Sequence, residues 1–212
     1  MGSSFMLVLA LRWFDPPSSA VIVLWEMEND RKANHRWRPL VEISPQLQIA
    51  VIAAEDQKFA DHFGFDFESI EKSLQENRAR PRGASTISQQ TAKNLFLWQG
   101  RSYVRKGIEA WFTLLMELLW PKQRILEIYL NIAEFGPGVY GAQAAAQTFF
   151  ATSARNLTAW QSGLLTAVLP NPRRMSAANP SAYVQSRALE INQLVRQMGG
   201  AGHLTKIDAS AK

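Results

Sequence analysis

Ser44-Pro45-Gln46-Leu47-Gln48-Ile49-Ala50-Val51-Ile52-Ala53-Ala54-Glu55 reads as a helix from its first residue. Ser44 can accept hydrogen bonds from the free N–H groups of a first turn, and Pro45 has no N–H to lose there. The apolar run Leu47–Ala54 carries the helix on, with an expected end at Phe59. Working outward, the helical period recurs along nearly the whole chain. Asp66 can cap a helix near 67–76. Thr86 and Gln89 make a capping-box pattern opening a helix to about Phe96. Ser102 caps a long run to Trp120, and Pro121 opens the next, to about Glu134. Gly136-Pro137-Gly138 reads as a loop before a helix over Ala142–Phe150. Thr158 and Gln161 form a second capping box, and Pro170-Asn171-Pro172 ends that helix. The last helix runs from about Pro180 to Met198, stopped by Gly199-Gly200. The stretch 19–43 is ambiguous, with Ala20–Trp25 leaning to helix. The expected fold class is all-α, with a main domain over 18–200, an apolar segment at 1–17 and a flexible tail at 201–212.

Composition narrows the chemistry. The chain has 212 residues, 23 Lys and Arg against 18 Asp and Glu, and no cysteine. That excludes disulfides, zinc–thiolate sites, iron–sulfur clusters and thiol nucleophiles together. His35, His62 and His203 are scattered, so no metal site is expected. Phe5–Leu11 is an unbroken apolar run, too short for a bilayer span of roughly 20 residues. It lacks the positive start and cleavage site of a signal peptide. Two readings stay open: a short helix docking on the domain, or the end of a longer transmembrane helix. The Arg12-Trp13 pair suits a membrane interface and favours the second.

Charge is unevenly placed. Residues 78–106 hold seven bases (Arg78, Arg80, Arg82, Lys93, Arg101, Arg105 and Lys106) and no acid. Residues 55–76 hold seven acids against Lys58 and Lys72. Either run alone is ordinarily a solvated face. Side by side they suit a carboxylate catalyst next to an anion clamp.

Within these runs, Glu55 falls at the carboxyl end of the first helix, where the helix dipole disfavours a negative charge. Partial desolvation would raise its pKa toward that of a general base. An exposed helix-end acid is the plain alternative. Gly83-Ala84-Ser85-Thr86-Ile87-Ser88-Gln89-Gln90-Thr91-Ala92-Lys93-Asn94 offers hydroxyls and helix N-terminal N–H groups suited to phosphate. Gln90 and Lys93 share a face. Arg105 and Lys106 lie four and three residues before Glu109, the spacing of an intrahelical ion pair. Lys122-Gln123-Arg124-Ile125-Leu126-Glu127-Ile128-Tyr129-Leu130-Asn131 reads mainly as architecture. Two pattern matches fail their context. Ser69-Ile70-Glu71-Lys72 lacks the companion motifs of penicillin-binding acyl-enzymes. Gly136-Pro137-Gly138-Val139-Tyr140-Gly141 lacks the strand–helix–strand setting of a dinucleotide fingerprint.

Taken in order, Glu55-Asp56-x-x-Phe59-x-x-His62-x-Gly64, Gly83-x-Ser85-Thr86-Ile87-x-Gln89-Gln90-x-x-Lys93-Asn94, Arg105-Lys106-x-x-Glu109 and Ile125-Leu126-Glu127-x-Tyr129-Leu130-Asn131 resemble the peptidoglycan glycosyltransferase family across about 40–175. The wording Gln90–Trp98 and Asn131–Gly136 is similar to its single-function biosynthetic branch. The resemblance implies a lysozyme-like helical domain that polymerises lipid II. The donor is then a polyprenyl-pyrophosphate-linked glycan and the nucleophile the lipid II 4-hydroxyl, with inversion at the sugar. It implies Glu55 and Glu109 as catalytic groups, with Ser85, Thr86, Gln89, Gln90, Lys93, Arg101, Arg105 and Lys106 binding substrate and Asp56 and His62 supporting. No cofactor is required, although a divalent cation (Mg or Mn) could assist at the pyrophosphate. Expected surroundings are the bacterial inner membrane, with the catalytic domain facing the periplasm and other cell-wall synthesis and division proteins nearby; no nucleic acid is expected. A lysozyme-like hydrolase is the competing class, but it has no need of an acid-free stretch of seven cations. A non-catalytic scaffold binding anionic lipid is a third, in which Glu55 and Glu109 would be dispensable.

Overall fold

A computed structural model describes residues 2–68, 71, 85–100 and 102–209. In chain order the elements are α1 (Gly2–Ala10), α2 (Ala20–Asn29), β1 (Asn34–His35), α3 (Pro45–Glu55), α4 (Ile87–Phe96), α5 (Tyr103–Leu119), α6 (Lys122–Ile132), β2 (Glu134–Gly136), β3 (Val139–Tyr140), α7 (Ala142–Phe150), α8 (Ala159–Val168), α9 (Ala182–Gln197) and α10 (Thr205–Ala209). The expected helices lie where their caps put them. Ser44 accepts from Gln46 N–H, both capping boxes form, and Ser102 and Ser181 cap α5 and α9. The fold is all-α apart from a small sheet of order β1-β3-β2. There Gly136-Pro137-Gly138 is the turn of the β2–β3 hairpin rather than a free loop.

α3 is the centre of the molecule. Every residue from Leu47 to Ala53 is buried, as an apolar run without a polar face requires. It packs against α8, α9 and the short 3-10 turn Gly200–Leu204 on one side. On the other side α4 lies against α5 and α6. Truncating a fully buried α3 side chain such as Ile52 to alanine would cost about 2–5 kcal/mol.

One expectation needs correction. α3 ends at Glu55 and not at Phe59, because Asp56 leaves helical geometry at φ −163° and ψ 75°. Its carboxylate accepts from His62 Nε2 at 2.8 Å and from Ile87 N–H at 2.9 Å, which turns the chain away. After α9, positive φ at Gly199 and Gly200 turns the chain into the 3-10 turn Gly200–Leu204 and α10, and Ile207 is buried beside α6. The N-terminal segment docks as a helix. Val8 is buried against α5, Trp120 Nε1 donates to Val8 O at 2.7 Å, and Arg124 reaches Leu11 O and Phe14 O. Among the described residues no helix is long and apolar enough to cross a membrane. The helix expected at 67–76 is helical at Phe67 and Glu68; apart from Glu71, its remainder, with Ser69 and Lys72, lies outside the described residues.

Candidate active site

Ending α3 at Glu55 leaves that side chain lining a cleft of about 620 Å3. The floor is Ala54, Glu55, Gln90 and Lys93; the opposite wall is Leu169 and Pro170 after α8, with Tyr183, Ser186, Arg187 and Glu190 of α9. Glu55 and Lys93 therefore share one cavity. Gln90 Nε2 donates to Glu55 Oε2 at 2.8 Å, and Tyr129 OH donates to Gln90 Oε1 at 3.3 Å. The amide is thus oriented by a buried phenol and in turn orients the carboxylate. Burial pushes the Glu55 pKa above the ordinary carboxylate value; the Gln90 hydrogen bond and the charges of Arg187 and Lys93 pull against that rise. Desolvation is the larger influence, as expected for an acid withdrawn from water.

Lys93 carries the opposite perturbation. Burial depresses its pKa, Glu109 opposes that, Arg105 and Lys106 add to it, and Glu55 opposes it. The ammonium therefore senses Glu55 from one side and the Arg105–Lys106–Glu109 cluster from the other. Within that cluster Arg105 Nη1 donates to Glu109 Oε2 at 2.8 Å and Lys106 Nζ to Glu109 Oε1. Arg105 is anchored further through Nε to Gly100 O at 2.8 Å. Glu109 is 4% exposed at its side chain, so it holds two cations in place instead of offering free oxygens.

At the N-terminus of α4 several of the donors that the sequence offers to an anion are engaged within the protein. Ile87 N–H is taken by Asp56, Gln89 N–H by Thr86 Oγ1 and Thr86 N–H by Gln89 Oε1. Thr86 Oγ1 also donates to Gly64 O at 2.7 Å. Thr86 and Gln89 are buried and joined by this capping box, while Ser85 is exposed. Gly64 has φ +78°, and a Cβ there would lie 2.8 Å from Thr113, so the turn can press onto α5 only without a side chain. Asp56 and His62 form a buried pair at this junction. Lys122 is architecture: Nζ meets Glu117 Oε1 at 2.8 Å and His62 O at 2.7 Å, and it lies over the Phe59 ring. Arg78, Arg80, Arg82, Gly83 and Arg101 lie outside the described residues.

The α9 wall escaped the sequence reading. Tyr183, Ser186, Arg187 and Glu190 follow i, i+3, i+4, i+7, opposite the buried Val184, Ala188, Ile191 and Val195. That polar stripe was a readable signal only as a solvated face; its place across from Glu55 comes from α9 packing on α3.

Comparison with known proteins bears directly on this cleft. A family model described as Transglycosylase matches residues 22–198, which includes Glu55, Lys93, Arg105, Glu109 and the α9 wall. The chain belongs to the transglycosylase family. Biosynthetic peptidoglycan transglycosylases are similar to it almost end to end. The one from Xanthomonas campestris pv. campestris (strain B100) is 57% identical over 96% of this chain and 86% of its own length. That of Stutzerimonas stutzeri (strain A1501) is 56% identical over 96% and 87%. That of Pseudomonas syringae pv. syringae (strain B728a) is 52% identical over 100% and 92%. This transglycosylase is accordingly a peptidoglycan glycosyltransferase.

Proposed function

We propose that this glycosyltransferase polymerises lipid II by a single inverting displacement with Glu55 as general base. The observation that carries the reading is the shared cleft of Glu55 and Lys93, with the base carboxylate oriented by Gln90. A sugar 4-hydroxyl is a weak nucleophile, so a base must take its proton as the new bond forms. Glu55 takes that proton, O4 of the acceptor bonds to C1 of the donor, and the C1–O bond to diphosphate breaks with its electron pair on the leaving oxygen. Attack opposite the leaving group converts an α-linked donor into a β-linked chain. The diphosphate leaves as an anion and needs positive charge, which Lys93, Arg105 and Lys106 supply in a partly desolvated setting. Glu109 positions that pair of cations. Gln90 positions the base, in place of the substrate contact suggested by sequence.

A divalent cation at the diphosphate would be held mainly by the phosphate oxygens, with at most one or two carboxylates beside them. Among the described residues no three His, Asp or Glu side chains converge to hold an ion, and both oxygens of Glu109 are already engaged by cations. The step is therefore derived without one. Membrane apposition at the periplasmic face of the inner membrane fits a lipid-linked substrate. The surface in support is apolar and exposed: Met6, Trp13 and Phe14 near α1, with Tyr103, Val104 and Leu118 on α5.

Purified protein incubated with lipid II should yield glycan strands resolvable by gel, with β-linkages by NMR. A parallel incubation with finished peptidoglycan should release no fragments. Fragment release without chain growth would replace this reading with a hydrolase.

A further inference from the structure

A second cleft, about 340 Å3, is lined by Glu28, Gln99, Glu134, Pro170, Asn171 and Arg173. Pro170 also lines the catalytic cleft, so the two cavities meet there. Four segments build it: the end of α2, which packs on α4, the chain just after α4, β2, and the turn after α8. That turn is fixed by its backbone, with Asn171 N–H donating to Val168 O at 3.0 Å and Asn171 O accepting from the N–H groups of Arg174 and Met175. Arg173 Nε donates to both Glu134 oxygens at 3.2 Å. Glu134 thereby takes the Nε hydrogen, and the Nη edge of a side chain that is 50% exposed keeps donors for a ligand. Glu28 is exposed and supplies a second carboxylate. Tyr140, fully buried, links the three charges: burial and Glu134 push its pKa up, Arg173 pulls it down, and Glu28 adds to the rise.

The lining sets a guanidinium beside carboxylates and amides and holds no aromatic ring on which a sugar would stack. Its two acids repel a diphosphate. A chain bearing both a carboxylate and an amine satisfies it. We infer that this cleft takes the peptide stem of the lipid II sugar, with Arg173 holding a peptide carboxylate and Glu28 the amine of the stem's diamino acid; the inference rests on the glycosyltransferase reading above. The stem branches from C3 of the muramic acid ring whose C1 is attacked, so it leaves the reacting centre within one ring, and the junction at Pro170 gives it a way out of the catalytic cleft. Glu134 positions Arg173, and Gln99 and Asn171 offer amides to the peptide backbone.

The test is calorimetric titration of the full chain with N-acetylmuramoyl-pentapeptide carrying lysine as its diamino acid, a soluble probe with neither lipid nor diphosphate. The wild type should bind it at least about tenfold tighter than the same probe with the lysine amine acetylated, the ratio expected of one charge-assisted hydrogen bond. Glu28→Gln, at an exposed position, should leave Tm unchanged and bring the two affinities to within about threefold of each other. Arg173→Gln should weaken both probes by about tenfold or more. A wild-type ratio near one, a ratio unchanged in Glu28→Gln, or full affinity in Arg173→Gln overturns the inference. So does N-acetylmuramic acid without peptide binding as tightly as the pentapeptide, which assigns the cleft to sugar. Lipid II polymerisation is measured alongside. A chain that binds the stem probe yet makes no strands overturns the polymerase reading and leaves the stem site standing, whereas strand growth by a chain indifferent to the stem overturns the stem site alone.

Discussion

Glu55→Gln separates catalysis from folding with unusual clarity. The replacement keeps the shape and can still accept from Gln90 Nε2, so α3 and the cleft should be preserved. What it removes is the only proton acceptor proposed for the incoming hydroxyl, and loss of such a base costs about 10²- to 10⁴-fold. Stability should move the other way. The Glu55 pKa is raised in the folded state, chiefly by burial. A carboxyl whose folded pKa lies above its unfolded value contributes nothing below the unfolded pKa, where both states are protonated. As pH rises through the folded pKa the ionised form is penalised in the native state, so wild-type stability declines over that window. The glutamine variant carries no such penalty. Its Tm at pH 7.5 should equal or exceed that of the wild type, and the difference should vanish at pH 3.5. The assay is lipid II polymerisation together with thermal unfolding at the two pH values. Turnover within tenfold of wild type would remove Glu55 from the mechanism. A variant less stable at pH 7.5 yet equal at pH 3.5 would mean that the ionised carboxylate supports the fold, contrary to the burial argument.

Other perturbations follow from the same contacts. Gln90→Leu deletes a hydrogen bond to a charged group, worth about 1.5–3 kcal/mol; kcat/KM should fall roughly tenfold or more, and its acid limb should move to higher pH because that bond favours ionised Glu55. A limb that moves down in the pH profile would contradict the assignment. Lys93→Ala should weaken pyrophosphate binding by about tenfold or more, the loss expected for a charge-assisted contact, with Tm nearly unchanged; equal pyrophosphate affinity by titration would place the clamp elsewhere. Lys122→Met leaves Glu117 buried without its cation, which should cost about 3–5 kcal/mol in urea unfolding. Pyrophosphate affinity of the folded fraction should stay at wild type.

Much of the architecture was legible because its signals are local. A serine before a proline, two capping boxes and a glycine pair are short-range chemistry, and they put the starts of α3, α4 and α8 and the end of α9 within a residue or two of where they lie. Glu55 and Lys93 were legible as chemistry-bearing residues because an acid-rich run adjoins an acid-free basic one. The errors have a common origin in contacts between distant segments. Asp56 looked like a continuation of its helix, and its pull toward Ile87, thirty-one residues away, cut that helix short. Thr86 and Gln89 resembled phosphate donors until Asp56 and Gly64 took up the donors at the start of α4.

From sequence alone came the all-helical class, most helix starts and the candidate base with its cations, since backbone capping and charge runs depend on neighbours in the chain. Tertiary structure alone decided which groups meet. It brought Gln90 onto Glu55 across thirty-five residues and hung Gln90 from Tyr129. It also set the α9 stripe with Arg187 as the far wall of the cleft. The physical reason is that burial and the electrostatics it controls are properties of packed helices: the raised pKa of Glu55 and the depressed pKa of Lys93 exist only once α3, α4 and α9 have excluded water between them.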